Sequence, residues 1–261
     1  KERYLFGFKV FDLFQEIKYT GIFSLLTGLF LSLLFVGLGI VFSYQTILLW
    51  SIITILLSLH MRFSLLSPGY TLGISFLILL LLPFLLEFQS YIDPQLFQQT
   101  NFIGMAIILS VLLFVEGLLL RRTKRNDTFP SVVLSQRGAW VGQHTVKKLA
   151  LIPFFVLIPD GALTTYLDFW PYLSLGEESF KLVLVPFLLG TDFTVKGSLP
   201  QETAKQMAGQ VILLSLFVLL VSIARIYISW LSLVAVVLAI SRREYIYLRH
   251  RTREKEQGFY I

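Results

Sequence analysis

Glu116 is the acid placed deepest in a long apolar run, Leu113-Phe-Val-Glu-Gly-Leu-Leu-Leu120. A carboxylate in such a run either couples to a moving proton or cation, or pairs with a base and serves structure. Arg121 and Arg122 follow five and six residues later, so the spacing favours pairing, or snorkelling to a nearby aqueous boundary. The three histidines, His60, His144 and His250, lie far apart and near the ends of apolar runs. No H-x-x-x-H, H-E-x-x-H, G-x-S-x-G or P-loop spacing occurs, and cysteine is absent. The chain thus lacks the signatures of a zinc centre, a thiolate nucleophile, a serine elbow and a phosphate cradle. The residues point to no catalytic group, no metal and no cofactor.

The richer polar chemistry is cationic. Arg121, Arg122, Lys124 and Arg125 form one cluster, and Arg137, His144, Lys147 and Lys148 follow in the same polar stretch. Asp127 is the acid among them. Such a stretch sets membrane orientation and attracts anionic lipid, and it also offers a contact surface for cytoplasmic proteins. A second basic run, Arg242, Arg243, Arg249, Arg251, Arg253 and Lys255, closes the chain.

These charges lie between long uncharged runs. Of the residues, 56% are hydrophobic and 15% charged, and mean hydropathy is +0.75. A soluble domain carries about 25% charged residues, so the composition is that of a polytopic membrane protein. Net charge is +6, but the cations sit at run boundaries, which argues for topology and lipid contact and against nucleic acid. Eight apolar segments are expected to be helices, near 20–41, 45–60, 69–86, 102–120, 149–160, 179–191, 207–224 and 227–241. The fold class expected is an all-α bundle of about eight spans with both termini cytoplasmic. The fifth and sixth segments are short and hold Pro153, Pro159 and Pro186. The alternative is therefore six spans plus two re-entrant half-helices.

With the N-terminus inside and eight crossings, segments 1–19, 61–68, 121–148, 192–206 and 242–261 face the cytoplasm. They hold 20 of the 22 Lys/Arg, the others being Lys181 and Arg225, as the positive-inside rule requires. Residues 1–19 place Phe6, Val10, Leu13, Phe14 and Ile17 at helical intervals, which predicts an amphipathic helix on the inner surface. Residues 161–178, with Tyr166, Trp170 and Tyr172, are expected at the outer interface. The domain order is then a surface helix, a transmembrane domain over 20–241, and a basic juxtamembrane segment over 242–261. Gly28, Gly37 and Gly39 in the first run are expected to allow close helix packing.

Several stretches in this order resemble MinJ-like membrane proteins of Gram-positive bacteria. They are Pro130, Ser135-Gln-Arg-Gly138, Val141-Gly-Gln-His144, Lys147-Lys148 and Leu151-Ile-Pro153. Phe169-Trp-Pro-Tyr172, Val185-Pro-Phe187 and the ending through Arg242-Arg-Glu244 extend the likeness. The resemblance implies a non-catalytic adaptor for division-site selection at septum and poles. It would connect a DivIVA-type protein to the MinD/MinC inhibitor, and a PDZ domain is expected beyond Ile261. No partner-binding residue carries over from it. The reading leaves room for a homo-oligomer. A second reading is a small-molecule or lipid transporter built on broken helices around 149–191, with Glu116 as its working group. An intramembrane enzyme would need convergent polar residues in the spans, and only Glu116 offers itself.

Overall fold

The computed structural model describes residues 20–60, 62–86, 100–124, 127–134, 138, 140–159, 172–175, 178–225, 227–228 and 230–256. The surface helix expected over 1–19, most of 161–178, and Arg125 and Arg137 lie outside them. Six α-helices are present among the described residues: α1 (Gly21–Gly37), α2 (Tyr44–Ser58), α3 (Pro68–Leu86), α4 (Phe102–Arg121), α5 (Pro200–Ala224) and α6 (Leu231–Glu256). A 3₁₀ turn, Phe63–Leu66, joins α2 to α3. Four strands, β1 (Thr128–Leu134), β2 (Trp140–Pro159), β3 (Tyr172–Leu175) and β4 (Glu178–Val195), form one antiparallel sheet in the order β1-β2-β4-β3.

The all-α, eight-span expectation is therefore wrong. Segments 149–160 and 179–191 are neither crossing helices nor re-entrant half-helices. They are the long halves of β2 and β4, paired from His144↔Val195 to Pro159↔Phe180. The broken-helix premise of the transporter reading falls with them. Among the described residues, three helices are long and apolar enough to cross a membrane: Pro68–Leu85, Phe102–Arg121 and Pro200–Ala224. Helices α1 and α2 are apolar but shorter, at 17 and 15 residues.

Why these runs become strands follows from their prolines. A proline inside a helix removes a ladder bond and clashes with the preceding turn. In a strand the N–H of every second residue points away from a given neighbour, and a proline there costs no bond with that neighbour. Along β2 the residues aimed away from β4 are the odd ones. The Phe155 N–H donates to Ser32 Oγ at 2.8 Å, and the carbonyls of Leu149 and Leu157 accept from Thr20 Oγ1 and the Phe42 N–H. Pro153 and Pro159 fall in this same odd set. Pro153 also lies directly opposite Pro186 of β4, so neither ring interrupts the β2–β4 ladder.

Even-numbered residues of β2, from Val146 to Ile158, are buried, and Phe154 meets Phe35 of α1 edge-on at 5.6 Å. Helix α1 lies along β2 in the same direction. Thr20 meets Leu149 at one end, and Val41 forms a parallel bridge to Leu157 at the other. Gly28 makes this approach possible, since a Cβ there would stand 2.0 Å from the Pro153 carbonyl oxygen. Gly28 thus packs on a strand, not a helix, while Gly37 and Gly39 have open space around their Cα atoms. On the far strand, Gly190 lets the Phe63 backbone close against β4.

Helix α4 is the centre of the helical part, buried along most of its length. It packs against α3, α5 and α6, while α2 packs on α3. Asn101 caps its N-terminus by accepting from the Gly104 N–H at 2.8 Å and also donates to the Val41 carbonyl. That cap ties α4 to the strand-bound end of the α1–α2 connection. Gly28→Val is expected to destabilise the fold by at least about 1–3 kcal/mol, the usual cost of overpacking. Thermal unfolding of the purified protein in detergent, compared with Gly37→Val as a tolerated control, measures it.

Candidate functional site

The polar side chains converge on one end of the molecule, where α4 and α6 finish their apolar stretches and β2 leaves the helices. Glu116 is fully buried on α4. Its Oε1 accepts from Arg243 Nε at 2.9 Å and Nη2 at 2.7 Å, and its Oε2 accepts from Ser67 Oγ at 2.6 Å. Arg243 is 2% exposed. The Tyr70 hydroxyl donates to Glu244, the neighbour of Arg243 on α6. The network therefore joins α3, α4 and α6 through charge-assisted bonds away from water.

Glu116 does pair with a base, but not with Arg121 or Arg122. Arg121 is exposed, and the Arg122 guanidinium lies over the Phe23 ring at 4.9 Å. The true partner is 127 residues away. The available sequence signal was positional: Arg243 ends the last apolar run as Glu116 nears the end of the fourth. With both carboxylate oxygens engaged, Glu116 is held as a structural anion.

The cationic residues divide by role. Arg121 and Lys124 are exposed. Lys148 is buried, bonding Asp127 Oδ2 at 2.8 Å and the Arg122 carbonyl at 3.1 Å. Its ammonium thus sits at the C-terminal end of α4, where a cation is favoured. Burial lowers the Lys148 pKa, with Asp127 opposing that shift. Lys147 lies over the Phe63 ring at 5.7 Å and faces Asp192 across the ladder. His144 is exposed and bonds Thr128 Oγ1 through Nδ1 at 3.2 Å. Arg121, Lys124 and His144 are thus presented at the surface, while Lys148 fastens β2 to α4.

Beyond the ion pair, a cleft of about 610 Å³ opens between α6 and the end of β4. Arg62, Asp192, Lys196, Arg243, Glu244 and Arg251 are among the residues that line it. Helix α6 closes one side by reaching past the apolar bundle. Glu254 accepts from the Lys196 and Gly197 N–H groups, and His250 Nε2 is 3.0 Å from the Thr194 carbonyl. No group of three or more His, Cys, Asp or Glu suited to a metal occurs among the described residues.

Two outcomes test this arrangement. Glu116→Gln leaves the Arg243 charge buried without a counter-ion and is expected to cost about 3–5 kcal/mol, whereas Glu116→Gln with Arg243→Met recovers most of it; melting temperatures of the three proteins decide. Asp192 is half-buried, and its burial raises the carboxyl pKa against the pull of Lys147 and Arg62. The folded protein thus holds this proton more tightly than the unfolded chain, and stability is lost as pH rises through the folded-state pKa. Asp192→Asn is expected to be more stable than the parent at neutral pH. The gain should vanish below about pH 4, where both states are protonated.

No protein-family model matches the chain, and no solved structure matches it. Along its whole length the chain is 29% identical, over 267 aligned residues, to a protein of Bacillus subtilis (strain 168) described as cell division topological determinant MinJ. The alignment takes in 100% of this chain and 66% of the relative, so the chain spans just under two thirds of that protein's length. The likeness supports a MinJ-like relationship.

Proposed function

We propose that the chain is a non-catalytic membrane scaffold for division-site selection. It would act at the bacterial cell membrane, at septum and poles, and connect a DivIVA-type protein to the MinC/MinD inhibitor. The observation that carries the reading is the similarity, over the full chain, to a cell division topological determinant. The structure supports it physically. Three apolar helices of spanning length suit a membrane protein. Exposed cations at one end, Arg121 and Lys124 with Arg242 and Arg249, suit anionic lipid and acidic protein surfaces. A scaffold must hold several weak contacts at a fixed height, so that local concentration does the work of one tight site. The Glu116–Arg243 pair and the Glu254 contacts tie α6 to α4 and to the backbone beyond β4, which suits that task.

The test is a fluorescent fusion in a strain lacking the native gene. Concentration at division sites with restored septum placement is expected. Replacing Arg121, Arg122, Lys124 and Arg125 by Gln should keep the protein in the membrane and weaken its focusing at septa. A uniform membrane signal, together with normal septa in the deletion strain, would sink the proposal.

A further inference from the structure

The β2–β4 hairpin has an inner face packed on helices and an outer face that the Phe63–Leu66 turn covers at Gly190 and that lies open from Leu151 to Phe155, with Leu157 beyond them buried. That outer face is wholly apolar. It presents Leu151, Pro153 and Phe155 from β2, with Leu184 and Pro186 opposite them on β4. Leu151 and Leu184 are each 48% exposed and Phe155 40%. No polar side chain occurs from Leu149 to Pro159 or from Leu182 to Gly190. Polar residues resume on both strands at one level, with Lys148 opposite Thr191 and Lys147 opposite Asp192.

We propose that this half of the hairpin lies within the hydrocarbon layer of the membrane, with its outer face against lipid acyl chains. Three observations choose lipid over a protein partner. The first is length. From Leu149 to Leu157, where both strands are apolar and before Lys181 appears opposite Ile158, the hairpin covers about 26 Å at about 3.3 Å per residue, close to the ~30 Å hydrocarbon thickness. The second is continuity. Helix α1 runs alongside β2, and its Leu25, Leu26, Leu29, Phe30 and Leu33 are between 59% and 68% exposed. Leu213, Leu216, Phe217 and Leu220 of α5 expose a similar band. A surface that continues onto several unrelated elements at one depth fits a solvent better than a partner with its own outline.

The third observation is backbone chemistry. Lipid cannot satisfy a free N–H or C=O, so a strand edge at that depth must be covered by protein. Strand β1 covers the β2 edge only up to Val146. Beyond it, Thr20 Oγ1, Ser32 Oγ and the Phe42 N–H engage Leu149, Phe155 and Leu157 in turn. Pro153 and Pro159 remove two further donors from that edge. On β4, Pro186 likewise lacks a donor, and β3 pairs with Glu178 to Lys181.

The chain has no cysteine, so single spin labels can be placed without altering it elsewhere. Leu151→Cys, Phe155→Cys and Leu184→Cys would be labelled and reconstituted as full chains in phosphatidylethanolamine–phosphatidylglycerol vesicles. Collision with oxygen and with a water-soluble nickel chelate is then measured. Leu216→Cys on α5 and Trp140→Cys at the polar end of β2 serve as the lipid and water references. The ratio of oxygen to nickel accessibility at the three hairpin sites should match that at 216 and exceed that at 140 several-fold. Nickel access like that of site 140 would place the hairpin in water and overturn the proposal. Low access to both reagents, with spin–spin broadening that grows as protein per lipid increases, would show a second copy on the face and overturn it equally. Two strands are probed, so failure of one variant to fold leaves the other to decide.

Discussion

A backbone amide removed from water must find a partner, and a two-stranded ribbon embedded among apolar side chains has two edges on which to fail. The rest of this molecule is arranged around that constraint. Helix α1 lies parallel to β2 at backbone contact distance, which requires Gly28 to have no side chain. Its hydroxyls take the place of a neighbouring strand, Thr20 at one end and Ser32 in the middle. Pro153 and Pro159 remove two further donors from the same edge. The direction of α1 then places the α1–α2 connection at Leu157, and Asn101 carries the same fixing point to α4. A residue chosen for an edge bond thus sets the position of the central helix.

The second constraint is electrostatic, and it acts at the opposite end. Glu116 and Arg243 are each too buried to be tolerated alone. Their pairing joins α4 to α6 at the level where the apolar part of α6 gives way to its charged part. Ser67 fills the other carboxylate oxygen, so the 3₁₀ turn and the start of α3 are held at the same point. Helix α6 continues unbroken to Glu254, where it binds the backbone beyond β4. Lys148 does for β2 what Arg243 does for α6, closing onto Asp127 and the end of α4. The polar end is therefore a frame, tied to the apolar part by buried charges on two sides.

Much of this was readable from residues and some was not, for definable reasons. Apolar runs at 69–86 and 207–224 are uncharged for the length a helix needs, that at 102–120 carries Glu116 alone, and all three are helices. The runs at 149–160 and 179–191 escaped because a strand is normally recognised by alternation, and alternation needs one polar face. Here Leu151 and Phe155 are as apolar as their buried neighbours Ile152 and Phe154. The prolines were legible as helix breakers, but the match of Pro153 to Pro186 across the ladder appears only once the strands are paired. Glu116 was recognised as unusual, and its need for a base followed from burial. The identity of that base did not, since a contact over 127 residues leaves no local trace. Arg121, Lys124 and His144 are exposed, whereas Lys148, equal to them in sequence, is an internal tie.

That difference between Lys148 and its neighbours bears on how such a surface would act. A flexible basic loop gains contact with an acidic partner only by giving up conformational freedom at each encounter. Here that freedom is already reduced: β1 and β2 pair across most of the polar stretch, and Lys148 anchors the pair to α4. Arg121, Lys124 and His144 are then carried on a frame whose position relative to the apolar helices is set by buried bonds. Preorganisation of this kind lowers the cost of each weak contact without making any one of them strong. Several such contacts can hold a partner in place and still release it one at a time. The same bonds that settle the strand edges and the buried charges therefore also settle the height at which the surface is presented.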